Sequence, residues 1–351
     1  MDKRGSVRTT TDAVSAGTPA GPELADQAKE KARDKRDSDR YALVESGVAE
    51  LELLLRDLVR TGLLSIPEKG TAYFEKVAAR MVDAKAPGLG NRVKMLSELP
   101  YAHQGDWHAP TLAHIAQTWL ILDGFRNMDQ LSQPVREDLR TLIGWTQKRS
   151  ELLENPASET VQDEWLVAAA STTEEEDLIV QRCWLYGLTT QRTALLLDFT
   201  HKTQALAPPV LPAGSLVKAT LVFFASNLPN RALLKTQGEP RIRWEEALIP
   251  ALYPNWAAAQ RLFAEKIALF PWAETVLMPV SSLRPIVHAK GWYLQDREGA
   301  LLPIHPAMEE NRRWKLLALS GGHPLDLCLL YNDQHIQPLG VLEKNKPYIL
   351  I

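Results

Sequence analysis

The chain has 351 residues, 45% of them hydrophobic and 24% charged, with a formal net charge of −3. That much apolar material supplies a buried core, and that much charge excludes a fibre or a membrane-embedded bundle. Two cysteines, Cys183 and Cys328, are too few for a Cys-rich metal site or a disulfide framework, which points to a reducing, cytoplasmic setting.

The first forty residues contain no apolar core of the signal-peptide kind, and nowhere do about 18 uninterrupted apolar residues occur, so no membrane association is expected. The nearly balanced charge argues against a chain built around phosphate neutralisation. Nucleic acid is therefore not expected as the main partner, although a local basic patch stays open.

Residues 1–40 combine Ala, Gly, Ser and Thr with a mixed-charge run from Asp26 to Arg40 and have no aromatic residue. Such a segment buries too little surface to offset its ordering entropy, so it reads as a disordered charged arm, at most a solvated helix near its end.

From Tyr41 onward, Val44, Val48, Leu51, Leu55 and Leu58 step at helical spacing, with Gly62 placed as a terminator. Phe74, Val77, Ala78, Met81 and Val82 repeat the stripe up to Pro87-Gly88. Val93 and Leu96 mark a short helix, and Leu112, Ile115, Ala116, Trp119 and Leu120 a long one. Val135, Leu139, Leu142 and Ile143 mark another, opened by Ser132 and Pro134. Residues 41–155 thus read as an α-helical domain of about five helices.

After Asn155-Pro156 the pattern changes to strands over 162–169, 180–188, 192–201 and 216–224, expected to form a meander of four to six strands. Helix returns between Trp244 and Leu269, most clearly from Ala257. Residues 156–273 therefore read as a β-rich middle domain with a helical segment. Two hairpins follow, turning at Asp296–Gly299 and at Asn332-Asp333, with a further strand over Trp314–Leu319. Residues 274–351 read as a small β-hairpin or barrel module. The fold class is α+β.

Five separated blocks then become recognisable: Ala79-Arg-Met-Val-Asp-Ala-Lys-Ala-Pro-Gly-Leu-Gly-Asn-Arg-Val, Thr141-Leu-Ile-Gly-Trp-Thr-Gln-Lys, Gln181-Arg-Cys-Trp-Leu-Tyr-Gly with Ala194-Leu-Leu-Leu-Asp-Phe, Pro212-Ala-Gly-Ser-Leu-Val, and Trp314-Lys-Leu-Leu-Ala-Leu-Ser-Gly-Gly-His-Pro-Leu-Asp. Over residues 40–350 the chain resembles the long C-terminal region of bacterial SWIM zinc finger family proteins. That family's Cys-x-Cys…Cys-x-His module has no counterpart here, so no zinc ligand is carried over. The resemblance implies a chain that begins downstream of the finger or a lineage without one. It further implies a gene neighbourhood with a MoxR-type AAA ATPase and a von Willebrand A-domain protein, and hence an adaptor role.

The chemical candidates are sparse. His103, Asp106 and His108 are the best metal-binding group, with His114 further on, but His-x4-His across a Gly-containing loop is not the register that places two ligands on one helix face. A polar loop before a helix is the simpler reading. Ser320-Gly-Gly-His323 with Asp326 holds a nucleophile, a base and an acid, yet it lacks the Gly-x-Ser-x-Gly elbow and reads as a glycine-rich turn. No phosphate-binding Gly-x4-Gly-Lys-Ser/Thr loop is present, and Glu174 to Asp177 read as a solvated connection.

Among ten tryptophans, Trp119, Trp145, Trp165 and Trp184 read as core, and Trp244, Trp256 and Trp272 as candidate partner anchors. The sequence thus predicts a non-catalytic adaptor without cofactor. The alternative is a nucleic-acid-associated relative of SWIM proteins that lacks the zinc module.

Overall fold

The computed structural model describes residues 22–102, 106–145, 147–175, 177–204, 211–242, 251–332, 334–343 and 347–351, with side chains from residue 38 onward. The chain is α+β and divides into two compact units, Met1–Gly105 and Asp106–Ile351.

The first unit holds α1 (Pro22–Thr61), α2 (Ser65–Lys69), α3 (Thr71–Asp83) and α4 (Pro87–Ala102). Because α1 begins at Pro22, the helix allowed for the end of the charged arm runs through residues 22–40. Lys, Glu, Arg and Ala are good helix formers, and opposite charges three or four residues apart support a helix. The anticipated stripe Val44, Val48, Leu51, Leu55 and Leu58 is buried, and the Gly62 amide closes on the Leu58 carbonyl at φ +95°. In α3 the buried face is Phe74, Val77, Ala78 and Met81, while Val82 is exposed. The helix expected to be short is α4. It runs for 16 residues because Pro87 is accommodated in its first turn, where the missing amide has no helical partner to lose.

The second unit opens with α5 (His108–Arg126), α6 (Gln133–Ile143) and α7 (Arg149–Glu154). The face α5 buries differs from the expected one: Thr111, His114, Ile115, Thr118, Ile121, Leu122 and Phe125 are inside, and Leu112 and Leu120 are exposed. Burying two threonines is cheap here because each hydroxyl donates to a carbonyl one turn back, Thr111 to Trp107 at 2.7 Å and Thr118 to His114 at 2.8 Å.

Five strands follow: β1 (Thr160–Glu175), β2 (Leu178–Gly187), β3 (Thr193–His201), β4 (Leu216–Phe223) and β5 (Arg231–Gln237). Only the first three form a meander. The sheet closes into a barrel in the order β1-β2-β3-β5-β4, with β3 and β5 parallel and β1 antiparallel to β4. Five strands closed through such a crossover make an OB-type barrel.

Period-two alternation fills the barrel with Trp165, Val167, Leu185, Ala194, Val217, Leu221 and Phe223. The Trp165 indole N–H donates to the Ala219 carbonyl at 3.1 Å. A bulge at Val167/Ala169 shifts the register of β1 against β2, so Ala169 pairs with Trp184 and the second half of the long strand presents its other face.

Helix α8 (Trp256–Leu269) leads into a six-stranded sheet of β6 (Val276–His288), β7 (Gly291–Gln295), β8 (Leu301–Pro303), β9 (Leu325–Tyr331), β10 (Ile336–Leu342) and β11 (Ile349–Leu350), in the order β11-β10-β9-β6-β7-β8. Both expected hairpins are present, as β7/β8 and β9/β10. The strand expected over Trp314–Leu319 is instead part of α9 (Glu310–Ser320). The Glu-Asn-Arg-Arg-Trp-Lys-Leu-Leu-Ala-Leu run favours helix, and the Gly321 amide, in a left-handed cap, bonds the Leu317 carbonyl.

Barrel and sheet share a third apolar cluster: Leu166, Ala168, Trp184, Tyr186 and Leu216 from the barrel meet Leu277, Cys328, Leu339, Leu342 and Tyr348. Within it the Tyr348 hydroxyl donates to the Ala168 carbonyl at 3.1 Å.

Candidate functional site

The residues proposed from sequence separate in space. His103 lies outside the described residues. Asp106 accepts from the His108 amide at 2.9 Å and lies 3.1 Å from its imidazole Nδ1. The His108 amide bond, followed by the side-chain bond, holds the Asp106 carboxyl below its ordinary range. This local turn opens α5, with the His108 ring stacked on Trp107. Among the described residues no three His, Cys, Asp or Glu side chains come together as a metal site.

The Ser320, His323 and Asp326 side chains do not form a relay. Ser320 Oγ donates to the backbone carbonyl of His323 at 2.6 Å, and Asp326 accepts from the Ser282 amide at 2.8 Å. The first bond closes the turn that leaves α9, and the second ties β9 to the irregular stretch of β6 between Val280 and Leu283.

The three candidate anchor tryptophans have different fates. Trp244 lies outside the described residues. Trp256 is 1% exposed, with its amide on Asp296 at 3.0 Å and its indole N–H on the Leu294 carbonyl at 3.2 Å, so it is core and offers no partner a surface. A tryptophan at the start of a helix looks like a surface position in sequence; here Asn255 caps α8 and turns its first residue inward onto the sheet. Trp272 is half-buried, donates its indole N–H to the Gln117 carbonyl at 2.9 Å and meets Phe270 edge-on at 5.5 Å.

Trp272 stands in the wall of a cleft of about 600 Å³ within the second unit, in the size range of ligand pockets. Its floor is the outer face of β1–β3, where the bulge points Ala169 and Ser171 outward beside Trp184 and Leu195. Its far side is the β9/β10 hairpin, and its rim is the segment after β4 together with the end of α8.

Four cations line the cleft, Arg182, Arg231, Lys266 and Arg312, against two acids, Asp138 and Glu274. Asp138 is already engaged, accepting from the Asn227 amide at 2.9 Å; burial raises its acid above the ordinary range despite that bond and one from Ser226.

Arg182 bonds the Thr173 hydroxyl at 2.6 Å, and the other three differ from it. Arg231 stacks on Phe224 at 4.7 Å, its Nε is buried without a hydrogen-bond partner, and burial, then repulsion from Arg149, makes its proton less tightly held than usual. Burial, then repulsion from Arg192, does the same to Lys266. Arg312 donates through Nε to the Ile351 main-chain oxygen at 2.8 Å. No ion pair joins Arg231, Lys266 or Arg312 to an Asp or Glu side chain among the described residues. Half-buried cations without side-chain counterions carry a desolvation cost that an anion entering the cleft would offset.

With the geometry in place, comparison with known families locates one part of the chain. Residues 39–143 match the SWIM-associated four-helix bundle domain. No curated protein and no solved structure matches the chain. The SWIM-associated match starts in α1 and ends at the last residue of α6, so it covers the C-terminal part of α1 and α2 to α6 and stops before α7 and β1. The barrel and the sheet lie outside it, while Asp138 and Thr141, at its end, line the cleft.

Burial in hydrophobic surroundings pushes the thiols of Cys183 and Cys328 up to about 12. Cys183 contributes to the barrel core and Cys328 to the cluster shared with the sheet, both as small apolar side chains. The cleft itself was not legible in sequence. Its cations come from β2, β5, α8 and α9, and among its walls the sequence offers only Trp272 as a candidate partner anchor.

Proposed function

We propose that this chain is a non-catalytic interaction protein related to SWIM proteins, and that its recognition surface is the cleft between the barrel and the C-terminal sheet. The observation that carries this reading is the set Arg231, Lys266 and Arg312, three cations gathered in one concave site without an Asp or Glu side-chain partner among the described residues. Such a site is suited to holding an anionic group.

In the finer form of the proposal, the chain acts as an accessory of a MoxR-type AAA ATPase and a von Willebrand A-domain protein in the cytoplasm. The resemblance in sequence blocks supports this form, with the SWIM-associated bundle as its matched part. Affinity purification from the native host, with partners identified by mass spectrometry, tests it. The expected result is co-recovery of the ATPase and the von Willebrand A-domain protein; recovery of the chain alone would count against the assembly.

A further inference from the structure

The cleft contains more than charge. Trp272 and Phe224 place rings in its wall, Trp184 lies in its floor, and the Arg231 guanidinium already stacks on Phe224. Planar rings beside cations serve ligands that are themselves planar at one end and anionic at the other, because a base stacks on the ring or on an arginine plane while a phosphate meets the charge. Acidic side chains have the second property and not the first.

Position also matters. Lys266 sits on the last turn of α8 and Arg312 near the start of α9, while Arg231 opens β5, so the charges come from three separate elements. The site is therefore set by tertiary structure and is not a basic run in the sequence.

We propose that this cleft binds a nucleoside phosphate, either free or as a unit of a single strand, with Arg231, Lys266 and Arg312 meeting the phosphate and the Phe224/Arg231 stack and Trp272 bordering the base. The proposal rests on the reading of the cleft as the recognition surface. The fold likeness of the barrel carries no weight in it, since one fold hosts many functions.

Four probes, offered to the full chain at low salt, distinguish the possibilities: a fluorescein-labelled oligothymidylate, a blunt duplex, ATP and polyglutamate. Each is also titrated against K266Q, K266R and the double variant K266Q/R312Q, with circular dichroism to establish that each variant is folded. We expect the oligothymidylate or ATP to bind the wild type, to weaken with added salt, and to weaken about tenfold or more in the double variant, with K266R close to wild type.

Binding of ATP that competes with the strand makes the free nucleotide the ligand; binding of the strand alone makes it a nucleic acid. Equal binding of a blunt duplex would overturn the role of the rings. Polyglutamate binding that the double variant abolishes, without nucleotide binding, would overturn the ligand class and leave the cleft as a recognition surface. Absence of all binding, or binding that the folded double variant leaves unchanged, would overturn both.

Discussion

The two β regions of the second unit solve the edge-strand problem in opposite ways. The barrel abolishes its edges by closing, through a parallel β3/β5 contact that joins strands thirty residues apart in sequence. The sheet stays open and ends on its two shortest strands, β8 and β11, with α8 and α9 packed on it. Each has its own core, Trp165 and Phe223 at the centre of one, Trp256, Phe263 and Leu316 in the other. The closed region offers the outer face of β1–β3, and helices α8 and α9 bring Lys266 and Arg312 to the open one. The cleft forms where they meet, floored by the barrel and bounded by the segment after β4, the end of α8 and the β9/β10 hairpin.

The largest expected effects test whether the two cores are one cooperative unit. Trp165→Ala in the barrel and Trp256→Ala in the sheet should each cost about 3–5 kcal/mol, since each removes a fully buried indole and its hydrogen bond. Thermal melts followed by near-UV circular dichroism should show a single transition displaced in both variants. Two separated transitions would mean that the shared cluster does not couple the cores.

The shared cluster has a narrower test. A methyl at Gly340 would fall 2.3 Å from the Tyr348 ring, so Gly340→Ala must push that ring off its seat against the barrel. Denaturant unfolding should report a loss of about 1–3 kcal/mol, the range for overpacking. Tyr348→Phe keeps the packing and removes the hydroxyl bond to Ala168, at a cost of about 1 kcal/mol.

A buried carboxylate tests the barrel alone. Asp163 accepts from the amides of Glu164, Thr189 and Thr190 and from the Thr190 hydroxyl, at 2.6 to 3.1 Å. Burial pushes its acid up, but these bonds outweigh it and hold the acid below its ordinary value. The folded form therefore gains stability above the unfolded pKa of about 4, and loses it as pH falls through the depressed folded value. Urea midpoints between pH 7 and pH 3 should fall more steeply in the wild type than in Asp163→Ala. The variant should lose about 2 kcal/mol at pH 7.

The sequence made the helices and the alternating strands legible because their signals are local. Val44 to Leu58 and Val217 to Phe223 carry their own periodicity. It misjudged α9 because Trp314-Lys-Leu-Leu-Ala-Leu is apolar enough for either structure, and the Glu and Arg residues before it decide for helix. It passed over β6, whose Pro279 and Pro285 argue against a strand in the middle of a sheet. The parallel closure of the barrel and the cleft are set by contacts between distant segments, which no window of sequence contains.

Smaller effects separate binding from folding. Cys328, buried in the shared cluster with its thiol raised to about 12, should resist a thiol reagent in the native protein and react on unfolding, and Cys183, half-buried against the barrel core, should react sooner. K266Q should change stability by no more than about 0.5 kcal/mol, since Lys266 has no carboxylate partner to lose among the described residues.

The most direct test of the cleft as the recognition surface is hydrogen–deuterium exchange with and without saturating oligothymidylate or ATP. Slowed exchange confined to residues 224–231, 266–277 and the outer strands β2 and β3 is the predicted result. Protection confined to α1–α4, or an unchanged pattern, would contradict the account.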